Sequence, residues 1–512
     1  MTNPIPRFSG APVVEGVSAD VVIVGSGVVG GLAAHALATL GHSVILLDAG
    51  PRIDRVEAVE RFRASPTKGS NAPYENPWYA PQPDDADFNS YYVQTAGQKT
   101  FQGLYVRGVG GTSWHWTGHA ERHYPNDFRM KSAYGVGVDW PISYDQLEPW
   151  YQEAEEIMAI SGSDTGTPFP RSKAYPQPPH RFTDPDRLLK AAYPDGWFPQ
   201  PTARARVATE SRAACCANAV CNLCPISAKF TVANDLAGLY RDDRVTLLLR
   251  AEALAVETTG GMATGVVYRR DGAEHTARGD LIVLGANAIF NPFILMKSGL
   301  DHPLLGRRLH EQTSVDALVY LDGVDNFQGS TSITGHGYML YDGPHRSRYG
   351  ACLIESWNRP EFRNEPGRWR QIQLLKCIVE DLPLERNRVA LSTEHPDKPV
   401  LHFESRSDYA MRGIAALDEA LPRILEKLPV ERVEIKRPVN VTEAHVLGTT
   451  VMGDDPSDSV IDGDLVHHRV RNLIVVGSGA FPTGAPANPS LTISALALRA
   501  AEHLHRPGGR SS

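Results

Sequence analysis

The stretch ADVVIVGSGVVGGLAAHALATLGHSVILLDAG, residues 19–50, decides the fold of this chain. Val21–Val24 is an unbroken β-branched run, the pattern of a strand buried on both faces. Gly25-Ser26-Gly27-Val28-Val29-Gly30 follows at once and opens a small-residue helical segment, which Gly41 can end in a left-handed cap. Ser43–Leu47 reads as a second buried strand, closed by Asp48. Strand, glycines, helix, strand and acid in that order make a βαβ unit with a dinucleotide fingerprint. Gly25 permits the tight turn, Gly27 lets backbone approach a pyrophosphate, and Gly30 lets the helix pack on the strand. Ser26 shares the turn, and the free N–H groups of the helix start face the phosphates. Asp48 is placed to accept hydrogen bonds from a ribose.

The rest of the chain is large enough for two or three domains, at 512 residues. Hydrophobic residues at 42% and charged residues at 21% fit an ordinary soluble enzyme. A formal charge of −8 without a basic run argues against nucleic acid as a partner. No apolar stretch reaches membrane length, and the first twenty residues lack a basic-then-apolar signal. The expectation is a cytoplasmic protein, with export on a signal-bearing partner as the alternative.

After Asp48, residues 51–99 are rich in Pro, Tyr and Asp and read as surface loops or an excursion toward a neighbouring subunit. LYVRGVGGTSWHWTGHAERH, residues 104–123, is a second glycine-rich loop among aromatics. Residues 139–162 become an acidic amphipathic helix, with Leu147, Trp150, Tyr151, Ala154 and Ile157 at helical spacing. Residues 163–205 are Pro-rich and irregular. Val245–Thr258 and Ala263–Arg269 alternate as a hairpin about Gly260-Gly261. Asp280–Gly285 is another buried strand, followed by a helix over Ala288–Ser298. Residues 311–440 hold alternating strands and one helix, Asp408–Lys427, which Pro422 is expected to kink or shorten. A strand at Asn472–Gly477, a turn and a helix at Leu491–His505 end the chain. Nucleotide-fold pieces at both ends imply that the middle is inserted between them.

These blocks resemble the glucose–methanol–choline family of flavin oxidoreductases. The resemblance rests on VVIVGSGVVGG, GVGGTSWHWTG, GANAIFNPFILMKSG, NRVALS at 387–392, and HVLGTTVMG, DSVID, NLIVVGSGAFPT and NPSLTISALALRAAE near the C-terminus. Within the family it is most similar to bacterial FAD-dependent sugar dehydrogenases and to pyranose or glycoside oxidases. The resemblance implies FAD rather than nicotinamide. Gly25, Ser26, Gly27, Gly30 and Asp48 would cradle it, with Arg107, Gly110, Gly111, Thr112 and Ser113 nearer the isoalloxazine. Ala480, Asn488, Pro489 and Thr492 would close over it. His115 precedes Trp116 as does the covalent flavin histidine of pyranose 2-oxidases, but Trp114 stands where those enzymes have a small residue. A non-covalent contact from His115 is therefore expected. The family's catalytic pair falls on His445 and Asn488. Oxidising an alcohol needs a base for the O–H proton and an acceptor for the hydride, and neutral histidine is suited to the first task. Asn488 can orient the substrate oxygen.

Cys215, Cys216, Cys221 and Cys224 fall within ACCANAVCNLCPISAKF. In resembling dehydrogenase subunits such a segment holds an iron–sulfur cluster. Here only two residues separate Cys221 from Cys224, where those subunits have three. The reading favours an ordered thiol-rich or disulfide-bearing loop, with iron–sulfur ligation or zinc as alternatives. No other metal ligands are expected. Cys352 and Cys377 read as buried apolar packing.

The expected fold is α/β. A Rossmann-like FAD-binding domain is assembled from 1–50, 100–138, 206–310 and 441–512. A substrate domain on an antiparallel sheet is formed by 139–205 and 311–440. The expected function is oxidation of a secondary hydroxyl of a sugar or glycoside, with O2 or another acceptor reoxidising the flavin. The alternatives are a dehydrogenase subunit that passes electrons to a partner through an iron–sulfur centre, and a non-catalytic flavin-binding protein.

Overall fold

The computed structural model describes residues 17–64, 91–95, 105–163, 165–217, 223–327, 329–359 and 361–505. Residues 65–90 and 96–99 of the stretch read as loops, and Cys221, lie outside them.

Ser18–Val24 and Val44–Leu47 pair in parallel, with Val21 opposite Val44 and Val24 opposite Leu47. Both runs are buried without alternation, as a sheet covered on both faces requires. The intervening helix, Val28–Thr39, presents Gly30, Gly31, Ala33, Ala34 and Ala38 among its buried residues. Small side chains bring its axis close to the sheet. The parallel strand Val245–Leu248 flanks Val44–Leu47, and the long strand Ala273–Leu284 flanks Ser18–Val24 on the other side. Leu473–Val475, from near the C-terminus, also pairs in parallel with that long strand. Both ends of the described chain thus enter one seven-stranded sheet.

The second sheet is antiparallel and has six strands in the order Val430–Ile435, Thr313–Leu321, Ile372–Val379, Cys352–Trp357, Ile333–Leu340 and Trp197–Pro199. One face is apolar: Val315, Ala317, Val319, Ile354, Leu375 and Cys377 pack against Ile414, Leu417, Leu421 and Leu425 of the helix Asp408–Leu425. The opposite face is not. Asp316, Lys376, Glu355 and His336 lie directly opposite one another on four successive strands. A small third sheet joins Arg388–Ala390, Val400–His402 and Val93–Gln94.

Several expectations need correction. The stretch read as loops contains a helix, Arg55–Ala64, and the strand Val93–Gln94. The stretch read as irregular contains a helix, Asp184–Ala192, and the strand Trp197–Pro199. Thr183 caps that helix by accepting from the Asp186 N–H, and Pro185 sits in its first turn, where a missing N–H costs nothing. Proline marked a helix start there rather than a loop. The run Val245–Thr258 is two strands, broken where Arg250 takes a positive φ of 53°. The chain leaves the parallel edge there and re-enters the hairpin with Met262–Arg270. Pro422 does not end its helix early, since the helix runs on to Leu425. The helix Tyr144–Met158 lies against the C-terminal helix Ser490–His505, where the Tyr151 and Thr492 hydroxyls meet at 2.8 Å. Its fully buried face is Leu147, Tyr151, Ala154, Glu155 and Met158, with Trp150 and Ile157 at its margin. Cys352 and Cys377 are buried in the apolar face of the second sheet.

No helix among the described residues is long and apolar enough to cross a membrane.

Candidate active site

The glycine turn is built as its sequence demands. Gly25 has φ +91°, a conformation that side chains rarely adopt, and a Cβ there would meet the Gly285 carbonyl oxygen at 2.6 Å. A Cβ on Gly30 would lie 1.8 Å from the Gly25 carbonyl oxygen, so helix and turn touch there through backbone. A Cβ on Gly27 would meet nothing within 4 Å. That open side faces a cavity of about 480 Å³. Gly27 is also the N-cap of the helix Val28–Thr39, without a side-chain cap and without an acidic residue in the first turn. The helix therefore points uncompensated N–H groups and positive dipole into the cavity. Asp48 stands beside it, and its carboxylate accepts from Ser26 N at 3.1 Å and Gly50 N at 2.8 Å as well as from the Ser26 hydroxyl. Burial pushes the Asp48 carboxyl pKa up, against those hydrogen bonds. Asp48 thus braces the turn while lining the cavity. The second glycine-rich loop is tied to the first by Gly110 N donating to Ser26 O at 3.2 Å.

One cavity gathers Gly25, Ser26, Gly27, Asp48, Arg107, Gly111, Thr112, Ser113, His445 and Pro489. Arg107 pairs with Glu252 at 2.9 Å and stacks on the Tyr91 and Phe290 rings. Gly30, Gly110, His115, Ala480, Asn488 and Thr492 stand outside the wall. Trp116, not His115, lines the cavity, and burial lowers the His115 pKa to about 3. Thr492 faces Tyr151. The donor set suits an extended dinucleotide with a pyrophosphate: a helix N-terminus, an uncrowded glycine and a carboxylate at one end, and polar loop residues at the other.

His445 and Asn488 meet although 43 residues separate them. Asn488 Nδ2 lies 3.3 Å from His445 Nε2, and Asn488 Oδ1 is buried with no protein partner among the described residues. The other imidazole nitrogen, Nδ1, is 2.9 Å from Gln312 Oε1. Gln312 Nε2 donates to the carbonyls of Ala485 and Ala487, at 2.8 and 2.9 Å. Its amide cannot turn over without losing both bonds, so Oε1 must face His445 and accept from Nδ1–H. That fixes the tautomer and leaves a lone pair on Nε2. Burial lowers the His445 pKa to about 3, assisted by charge on His119. Gln312 was missed by the sequence reading. Its only local signal is a polar triad, His310-Glu311-Gln312, just before a β-alternating run.

Cys215, Cys216 and Cys224 do not line this cavity. Cys224 lines a small separate pocket with Arg55, Trp114 and Leu223, and its Sγ accepts from Ala228 N at 3.2 Å. Cys215, Cys216 and Cys224 form no disulfide among the described residues.

Comparison with known proteins places this geometry. The N-terminal and C-terminal models of the GMC oxidoreductase family match residues 107–314 and 383–497. The chain is 30% identical to the fructose dehydrogenase large subunit of Gluconobacter japonicus, over 95% of this chain and 98% of that one. It is 30% identical to the C-glycoside 3-oxidase of Arthrobacter globiformis over 48% of this chain and 50% of that one. In fold it matches pyridoxine 4-oxidase from Mesorbium loti with a TM-score of 0.66 at 20% identity, covering 95% of this chain and 99% of that one. With both family models matched around a cavity made for a dinucleotide, the chain belongs to the GMC oxidoreductases and is an FAD-dependent enzyme acting on CH–OH groups.

Proposed function

We propose that the protein oxidises a secondary hydroxyl of a sugar or glycoside to a ketone, with His445 as the base and Asn488 as the group that orients the hydroxyl. The observation that carries this reading is the His445 imidazole, pinned through Nδ1 by Gln312 and presenting Nε2 beside Asn488 Nδ2 at 3.3 Å. His445 takes the hydroxyl proton on Nε2, and the Asn488 amide holds the same oxygen. When bound, FAD supplies the acceptor for the hydride that leaves the carbinol carbon. Burial of His445 keeps it neutral at working pH and able to accept that proton. The sugar or glycoside as substrate class follows from the fructose dehydrogenase and C-glycoside oxidase relatives. His115 is read as a non-covalent neighbour of the flavin rather than its covalent anchor.

Anaerobic stopped-flow reduction by a panel of sugars and glycosides tests the reading. His445→Ala should retain FAD and slow reduction by roughly 100-fold or more. Reduction at the parent rate would show that another residue is the base.

A second reading concerns the acceptor. The 30% identity that spans nearly the whole of both chains is to a protein named as a large subunit, which favours electron transfer to a partner over O2. Iron and acid-labile sulfide in anaerobically purified protein, lost on Cys224→Ser, would establish that reading. Iron-free protein that turns over with O2 would establish the oxidase.

A further inference from the structure

A second constellation, outside the His445–Asn488–Gln312 contacts, lies on the polar face of the six-stranded sheet, near enough for charge on His119 to act on His445. His119 and Glu121 occupy an extended segment held by Ala120 N donating to Pro201 O at 3.1 Å and Ala203 N donating to Gly118 O at 2.8 Å. Residues two apart on extended backbone point to the same side, so both side chains project together. Opposite them, His336 and Glu355 are cross-strand neighbours in the polar row of the antiparallel sheet. The four residues are buried, none exposing more than 2% of its surface. His119 Nδ1 lies 3.1 Å from Glu121 Oε1 and 3.1 Å from Glu355 Oε1, and His336 Nδ1 lies 3.3 Å from Glu121 Oε1. One donor atom from each residue falls within 4.8 Å of all the others.

Hydrogen bonding does not satisfy this arrangement. A single Nδ1–H on His119 faces two carboxylate oxygens. Glu121 Oε2 and His336 Nε2 have no partner among the described residues, although each is buried. Lys376, next in the polar row, is drawn to Glu443 at 2.7 Å. Two carboxylates converge in a dry interior, and an imidazolium at His119, whose pKa, against burial, they raise to about 9, balances only one of their charges. Three of the six donor–donor distances, at 3.1–3.3 Å, are close to the edge of a tetrahedron with metal–ligand bonds of about 2.0–2.1 Å, and the whole set lies within 4.8 Å. Two imidazoles with two carboxylates suit borderline ions and not calcium or magnesium, which take oxygen ligands.

We propose that His119, Glu121, His336 and Glu355 form a buried mononuclear site for a divalent first-row transition ion, zinc matching it best, that ties the His119–Glu121 segment to the six-stranded sheet. The two-residue spacing His119-Ala-Glu121 supplies one pair of ligands and the strand register supplies the other. The site contains no thiolate, so it is chemically distinct from the cysteine segment.

The test uses FAD-loaded protein from zinc-supplemented medium, desalted into metal-free buffer. About one zinc per chain is expected, with a zinc-edge absorption spectrum showing only nitrogen and oxygen at about 2.0–2.2 Å. His336→Gln and Glu121→Gln should each lose the zinc while the flavin-to-protein ratio stays unchanged. A manganese ion in place of zinc, lost in the same variants, would support the same site. Less than about a tenth of an equivalent of either ion would overturn the proposal, as would a sulfur shell at about 2.3 Å, which would place zinc on the cysteines. Zinc retained by both variants would also overturn it. Should either variant fail to fold, the absorption spectrum of the parent protein still decides.

Discussion

The seven-stranded sheet buries Val21–Val24 and Val44–Leu47 as unbroken apolar runs, whereas the six-stranded sheet buries an apolar face and a row of Asp316, Lys376, Glu355 and His336. In the first, Val21–Val24 and Val44–Leu47 are buried on both faces, and specificity there is left to backbone: glycines, N–H groups and a helix dipole. In the second, one face rests on the helix Asp408–Leu425 and the other turns charged groups toward the His119 segment. The two sheets teach that a dinucleotide of fixed shape is met by main chain, while a cluster of charged groups is assembled from side chains brought from several strands.

The comparison breaks most readily at Gly30. Gly30→Ala sets a methyl against the Gly25 carbonyl oxygen at 1.8 Å, both on backbone that cannot yield. Flavin retention should be abolished, and stability should fall by at least about 3 kcal/mol, the upper end of overpacking effects. Flavin content and the denaturant midpoint measure both. Gly27→Ala has open space around its new methyl, so apoprotein stability should hold while FAD binding weakens. Equal unfolding of the two variants would mean that the turn tolerates no change anywhere.

On the other sheet, Leu421→Ala removes a fully buried side chain from the helix-facing core. A loss of about 2–5 kcal/mol is expected from the cavity left behind. The flavin spectrum of the folded fraction should stay that of the parent, because the cavity for FAD is built from the first sheet. A parallel loss of flavin at temperatures where the variant is folded would show that the halves do not behave separately.

A smaller effect is expected at Gln312, the link between the halves. Gln312→Leu frees the His445 Nδ1 and lets the tautomer with Nε2–H compete. Flavin reduction should slow by about tenfold, equivalent to about 1.4 kcal/mol, with FAD content unchanged and Gln312→Glu retaining more of the rate. An unaltered reduction rate in Gln312→Leu would remove the residue from the positioning role.

The smallest expected change is one of pH. A base works above its pKa, and burial lowers that of His445 from 6.5 to about 3. Lowering the pH from about 8 to about 5 should therefore leave the reduction rate flat on the acid side, with the fall reserved for pH near 3. A half-fall near 6.5 would mean that His445 is solvated in the working enzyme.

What could be read from the chain without its fold is whatever short-range physics encodes. The β-branched run before Gly25, the spacing to Gly30 and Asp48, and the helical stripe Leu147, Tyr151 and Ala154 each report a local period or a local steric need. The reading failed at Asp184–Ala192, where Pro185 looked like a loop marker, and at Arg250, where a single positive φ splits one alternating run between two places. What only the tertiary structure decided is convergence. Gln312 meets His445 across 133 residues, and His119, on an isolated extended segment, meets Glu355 of the six-stranded sheet. No local pattern marks such partners, because their spacing is set by strand register and by the packing of distant segments, and burial then gives those few polar contacts their strength.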